Sequence, residues 1–160
     1  MVNLVGISLK FGRRFNRVPF LPKIIRMINR VVLSCDIPIE TKIDDSVLFV
    51  HHGLGVVINS GAEIGAKTKI LQHVTIGGTG KKRIYGDKEI MSPIIGENVW
   101  IGSGAQILGP VIVGDKVQIA AGSIVTKDIP IGKIVAGVPA QIIGDNWLFP
   151  EFIKNKGNKV

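Results

Sequence analysis

The sequence predicts an all-β chain wound into a parallel β-helix of six-residue repeats, preceded by a short helical segment. Three observations lead there. Aliphatic residues recur at every sixth position over residues 95–131, as Ile95, Ile101, Ile107, Val113, Ile119, Val125 and Ile131. Small residues often follow them, as in Ile101-Gly102, Val113-Gly114 and Ile119-Ala120. The hydrophobic share is 46% but the aromatic share only 6%, so Ile and Val supply the core, as suits strand packing. A period of six fits neither the 3.6 of a helix nor simple strand alternation. Repeats this short let each turn stack on the last. The column points inward, and the small residues let the backbone bend at corners.

In chain order, residues 1–35 form a basic, helical N-terminal segment outside the six-residue period. Leu21, Ile24, Ile25, Ile28, Val31 and Val32 are spaced for one face of a helix over 21–33, opposite Lys23, Arg26 and Arg30. Pro22 fits its first turn. Two roles suit this helix: a cap over an open coil edge and a membrane-surface helix. The β-helix spans 36–144. Its column continues upstream as Ile37, Ile43 and Phe49, and then as Ile58, Ile64, Ile70 and Ile76. Two stretches interrupt it: 50–57, which holds His51 and His52, and the loop 77–93. Regular coils carry stability, so these departures are where function is expected. Gly137-Val138-Pro139-Ala140 ends the pattern, and 145–160 is a tail. In it Trp147, Leu148, Phe149 and Phe152 are expected to fold back on the coils, with 154–160 frayed.

Composition narrows the function classes. The 160 residues suit one domain. No apolar run approaches the roughly 20 residues of a membrane span. The short apolar patch at the start precedes the positive charge, the wrong order for a secretory signal. Cys35 is the single cysteine, which excludes an internal disulfide and suits a reducing compartment, the cytoplasm. It reads as a small buried hydrophobe. Net charge is +8, and seven basic residues precede the first acid, Asp36. Such a face attracts anions, including a phosphorylated cofactor or the inner face of a membrane. Nucleic acid is not expected, because no binding motif and few stacking aromatics accompany the charge.

Several motifs then occur in order. They are Cys35-Asp36-Ile37, His51-His52-Gly53-Leu54-Gly55-Val56-Val57-Ile58 and Leu71-Gln72-His73-Val74-Thr75-Ile76-Gly77-Gly78-Thr79-Gly80-Lys81. Ala121-Gly122-Ser123-Ile124-Val125-Thr126-Lys127-Asp128-Ile129-Pro130 and Ala136-Gly137-Val138-Pro139-Ala140 follow. Together they resemble the serine acetyltransferase branch of the hexapeptide-repeat acyltransferases over roughly 36–144. The resemblance implies a left-handed parallel β-helix, a homotrimer, and acetyl-CoA in a groove between neighbouring subunits.

Acetyl transfer from a thioester to an alcohol needs a base beside the hydroxyl, and a neutral imidazole suits the task. A carboxylate on the far ring nitrogen fixes the tautomer and stabilises the imidazolium. In the family this carboxylate is an Asp fifteen residues before the base. That spacing selects His51 as base and Asp36 as partner. Counting back from Gly55-Val56-Val57 selects His52 instead, because one extra residue lies between the two anchors. His73, third of the three histidines, is expected to face solvent or a neighbouring subunit. The histidine spacing does not match a zinc site of this fold, so no metal is expected. For the cofactor, the resemblance implies contacts at Gly78, Lys81, Ser103, Ala121, Thr126 and Lys127, with Lys127 near the CoA phosphates. Gln141 stands where the family usually has Arg or Lys.

The acceptor is expected to be a surface polysaccharide or its sugar precursor, with loop 80–92 at its rim. That expectation rests on missing charges: Val50 or His51 replaces an Asp before the base, and Met91-Ser92 replaces Arg-His before Pro93. The alternatives are serine as acceptor, or a non-catalytic trimeric scaffold.

Overall fold

The computed structural model describes residues 3–15 and 17–146. Two helices, α1 (Leu4–Arg14) and α2 (Leu21–Val32), precede a coil of short strands. The strands pair in parallel into three faces of a prism. The first face stacks Val57–Ile58, Thr75–Gly77, Gln106–Leu108 and Ile124–Val125, with Asp36 bridged to Val57 at one end. The second stacks Lys42–Ile43, Glu63–Ile64, Ile94–Ile95 and Ile112–Val113. The third stacks Leu48–Phe49, Lys69–Ile70, Trp100–Ile101, Gln118–Ile119 and Lys133–Gly137. Ala140–Asp145 closes that face as an antiparallel edge strand.

The column is the register. Ile58, Ile76, Ile107 and Val125 lie directly opposite one another from coil to coil. So do Phe49, Ile70, Ile101 and Ile119. All are buried, and each such side chain contributes on the order of 2 kcal/mol from burial. A second interior column stands two residues before the first and was not read from the sequence. It holds Val56, Val74, Ala105 and Ser123 on the first face, and Val47, Thr68, Val99 and Val117 on the third. Small side chains there fill the angle between two faces without forcing them apart.

Ile131 leaves the expected column. Val113 bridges to Ile129 instead, and Ile129 is buried while Ile131 is 48% exposed. The cause is a shortened corner. The Asp128 carboxylate accepts from Ile112 N–H at 2.9 Å, so the chain enters the second face two residues early. Loop 77–93 is likewise more ordered than expected. It carries an antiparallel hairpin, Arg83–Tyr85 with Lys88–Ile90.

The helix expected over 21–33 is present as α2, and α1 is an additional one. The first coil has no coil beyond it, and α1 covers that open end. The Arg13 guanidinium donates to the carbonyls of Ile39, Thr41 and Ile43, and Asn3 Nδ2 donates to that of Val47. An uncovered edge would leave these acceptors bare. Asn29 on α2 accepts from Ser8 on α1 at 2.7 Å, and Gly12 lies against Ile25, so the two helices run antiparallel. The single stripe expected on α2 splits: Ile25 is buried, whereas Ile24, Ile28, Val31 and Val32 are exposed. No helix of the described residues is long and apolar enough to cross a membrane. The expected cluster at Trp147, Leu148, Phe149 and Phe152 lies outside the described residues.

Candidate active site

Between Phe49 and Ile58 the column skips nine positions instead of six. The extra residues swell the corner between the third and first faces into a short helical turn, Val50–Gly53. His51, His52 and Gly53 all take left-handed backbone, with φ of 53°, 56° and 69°. Such conformations cost on the order of 1 kcal/mol per non-glycine residue and collect where the surrounding fold over-determines them. Here α1 does so from beneath. A Cβ at Gly53 would stand 3.0 Å from the Val5 side chain, so the turn rests on the helix. Both imidazoles are exposed. His73 occupies the same edge one coil further on, its N–H donating to Leu54 O at 2.8 Å. Its φ is 60° and its side chain is exposed, in keeping with the expected solvent-facing position. The ring lies over Gly55, where any side chain would collide with it.

Asp36 lies beside this turn at the start of the first face. Its backbone is pinned to the next coil through Val56 O and Ile58 N–H. Its carboxylate is held by α2: Arg26 Nε donates to Oδ1 at 2.8 Å and Arg30 donates to Oδ2 at 2.5 Å. These bonds hold its pKa down at about 2. Among the described residues no bond joins Asp36 to His51 or His52, so the expected carboxylate–imidazole contact is not formed. The physical reason is the two guanidinium groups, which occupy both oxygens. Asp36 and Arg26 line a cleft of about 300 Å³ with Asn59, Thr75, Gly77 and Gly78. Cys35 is buried as expected, and desolvation followed by the Asp36 charge raises its pKa to about 11.

The six residues expected at the cofactor divide between two edges of the prism. Ser103 and Ala121 follow the histidine edge. Successive bonds from His73 N to Leu54 O, Gly104 N to Gln72 O and Gly122 N to Ser103 O run down it. With about 4.8 Å between coils, Ser103 stands about 10 Å along the axis from the histidine turn. Gly78, Lys81, Thr126 and Lys127 lie on the other edge of the first face. There a cleft of 640 Å³ is lined by Lys81, Arg83, Gly109, Thr126 and Lys127, among others. Arg83 on the hairpin makes a two-pronged ion pair with Asp128, both bonds 2.8 Å. The hairpin thus joins the Lys127 cleft rather than standing apart as a rim. Gly78 has a local reason to lack a side chain: a Cβ would stand 2.7 Å from Met91 O, where the hairpin returns.

Sequence reading missed Arg26 at the cleft and Arg30 beside it on the Asp36 carboxylate. Their signal was available: four residues apart on one helix, they project from the same side, just ahead of Asp36.

Comparison with known proteins bears on this geometry. Residues 92–127 match the family described as bacterial transferase hexapeptide (six repeats). The serine acetyltransferase of Helicobacter pylori (strain J99) is 37% identical over 127 residues, covering 79% of this chain and 71% of the relative. A Brucella abortus serine acetyltransferase solved in complex with coenzyme A superposes with a TM-score of 0.71 at 35% identity, over 86% of this chain and 52% of that one. A soybean serine acetyltransferase complexed with serine gives a TM-score of 0.69 at 36% identity, over 86% and 53%. The chain spans about half the length of other curated relatives it matches, including those of Synechococcus elongatus and Bacillus pumilus.

These likenesses overturn the expectation of a polysaccharide or sugar-precursor acceptor, because the relatives are named serine acetyltransferases. The error has a structural source. Charges were sought at linear positions around the coil, whereas Arg26 enters the Asp36 cleft from a separate helix. With the repeats, the prism and these relatives together, the chain belongs to the serine acetyltransferase family of hexapeptide-repeat transferases.

Proposed function

We propose that this chain is an acetyl-CoA-dependent serine O-acetyltransferase, built on a left-handed coil and working as a homotrimer in the cytoplasm. The observation that carries the reading is the histidine turn, held in left-handed backbone and leading into the Val57–Ile58 strand that lines the Asp36–Arg26 cleft. A serine acceptor brings an ammonium and a carboxylate. Arg26 offers its guanidinium to that carboxylate in the two-pronged manner the pair favours, and releasing Arg26 from Asp36 frees a carboxylate oxygen.

In this mechanism an imidazole of the turn, His51 in the family register, removes the serine hydroxyl proton. The hydroxyl oxygen attacks the thioester carbonyl. The tetrahedral intermediate collapses, the carbon–sulfur bond breaks, and the imidazolium returns its proton to the departing CoA sulfur. Once Arg26 turns to the acceptor, the freed Asp36 oxygen is the group that would accept from the imidazolium, as the family register implies, and His52 is the idle neighbour. The division of Ser103 and Ala121 from Lys81, Thr126 and Lys127 onto two edges supports a trimer. One groove unites them when one subunit's histidine edge meets its neighbour's lysine edge. Lys81 and Lys127 then supply point charges for the CoA phosphates.

The test is thiol release from acetyl-CoA, with and without L-serine, and mass detection of O-acetylserine. Serine-dependent release that is lost in His51→Ala and retained in His52→Ala supports the assignment. Release that is indifferent to serine refutes the acceptor. No release and no acetyl-CoA binding would support a scaffold.

A further inference from the structure

We propose that the α1–α2 hairpin is a docking face for an anionic lipid surface, independent of which acceptor the enzyme uses. Each helix carries two apolar stripes, and the fold consumes only one. On α1, Val5 and Leu9 are buried against the coil, while Ile7 and Phe11 stand 57% and 52% exposed on another side. On α2, Ile25 is buried, while Met27 and Val31 stand 58% and 76% exposed. Phe20, which opens α2 in left-handed backbone, is 72% exposed. Apolar surface this extensive on adjacent elements marks an interaction face.

Charge selects the occupant. Residues 1–35 contain seven cations and no acid. Arg13, Arg26 and Arg30 are spent on the coil, the first on carbonyls and the others on Asp36. Lys10 keeps only a long 3.8 Å pair with Asp45. Arg14, Arg17 and Lys23 are exposed and have no ion-pair partner among the described residues. A second copy of the same face would bring these cations against one another with no acid on either hairpin, which like-charge repulsion opposes. Anionic headgroups neutralise them while acyl chains receive the apolar stripe, the arrangement of an interfacial amphipathic helix. Neither helix is long or apolar enough to span the bilayer, so the face lies on the surface. Because α1 covers an end of the prism, a trimer would present three such faces in one direction, and their binding would reinforce one another.

The test is flotation of the full chain with vesicles of phosphatidylcholine and phosphatidylglycerol, against phosphatidylcholine alone, at low and high salt. Expected are co-flotation with the anionic vesicles only and loss of binding as salt rises. Arg14→Gln and Lys23→Gln should each weaken partition about fivefold, and Val31→Ser about tenfold. All three should retain the far-UV circular dichroism and acetyl-CoA binding of the parent. Equal partition into both vesicle types, or none, overturns the proposal. So does a fall in solution mass on Val31→Ser, which would show that a second copy covers the face.

Discussion

The coils and the helical hairpin are both rich in aliphatic residues, yet their burial follows different rules. Within 94–125 every residue of the expected six-residue column is interior. Each coil's neighbour is another coil with the same period, so inward on one is inward on the next. In α2 the aliphatic residues of the expected face separate, Ile25 inward and Ile28, Val31 and Val32 outward. A helix can present any of several stripes, and what it meets decides which one is covered. The histidine turn lies where the two regimes touch, on a coil interruption propped by α1.

The contrast can be broken or sharpened by mutation, and the largest effect belongs to the touching point. His51→Ala should lower kcat for serine-dependent thiol release by about 10²–10⁴-fold while leaving the urea midpoint unchanged. A midpoint that falls with the rate would make the residue structural. Next, Ile107→Ala in the column should cost about 3 kcal/mol by urea denaturation. Val32→Ala on the exposed stripe should stay within about 0.5 kcal/mol. Equal costs would dissolve the distinction between the two regions.

Two smaller effects probe the coupling between them. Gly53→Ala places a side chain in left-handed backbone against Val5, and should cost about 1 kcal/mol. Asp36→Asn removes the anchor of α2, and should cost about 1 kcal/mol, since the arginines are partly exposed. The pH dependence of that anchor has a definite sign. The folded pKa, about 2, lies below the unfolded value near 4. The contribution is therefore complete above about pH 4, declines as pH falls below it, and is gone below the folded pKa. Acid titration followed by circular dichroism should show this loss in the parent and not in Asp36→Asn.

Much of the prism was legible because its rule is local. The break at Ile131 shows where that legibility stops. The early entry at Ile129 depends on the Asp128 carboxylate reaching the Ile112 amide, and on Arg83 arriving from a hairpin forty-five residues away to hold the same carboxylate. Nothing in a six-residue count carries either contact. The site was half legible for a similar reason. His51, His52 and Asp36 are picked out by matching their spacing to the family's motif, but the ownership of Asp36 by Arg26 and Arg30 is not.

Apart from the histidine chemistry, which the family resemblance supplied, the order of residues alone settled the period, the inward column and the two interruptions. These follow from near-neighbour repetition, in which every coil meets its own likeness. Folding in three dimensions decided the rest: which helix stripe is covered, which cations reach the cleft, and which edge of the prism each expected cofactor residue occupies. Those outcomes depend on side chains meeting across long stretches of chain, where shape and charge at the meeting point outweigh any local preference.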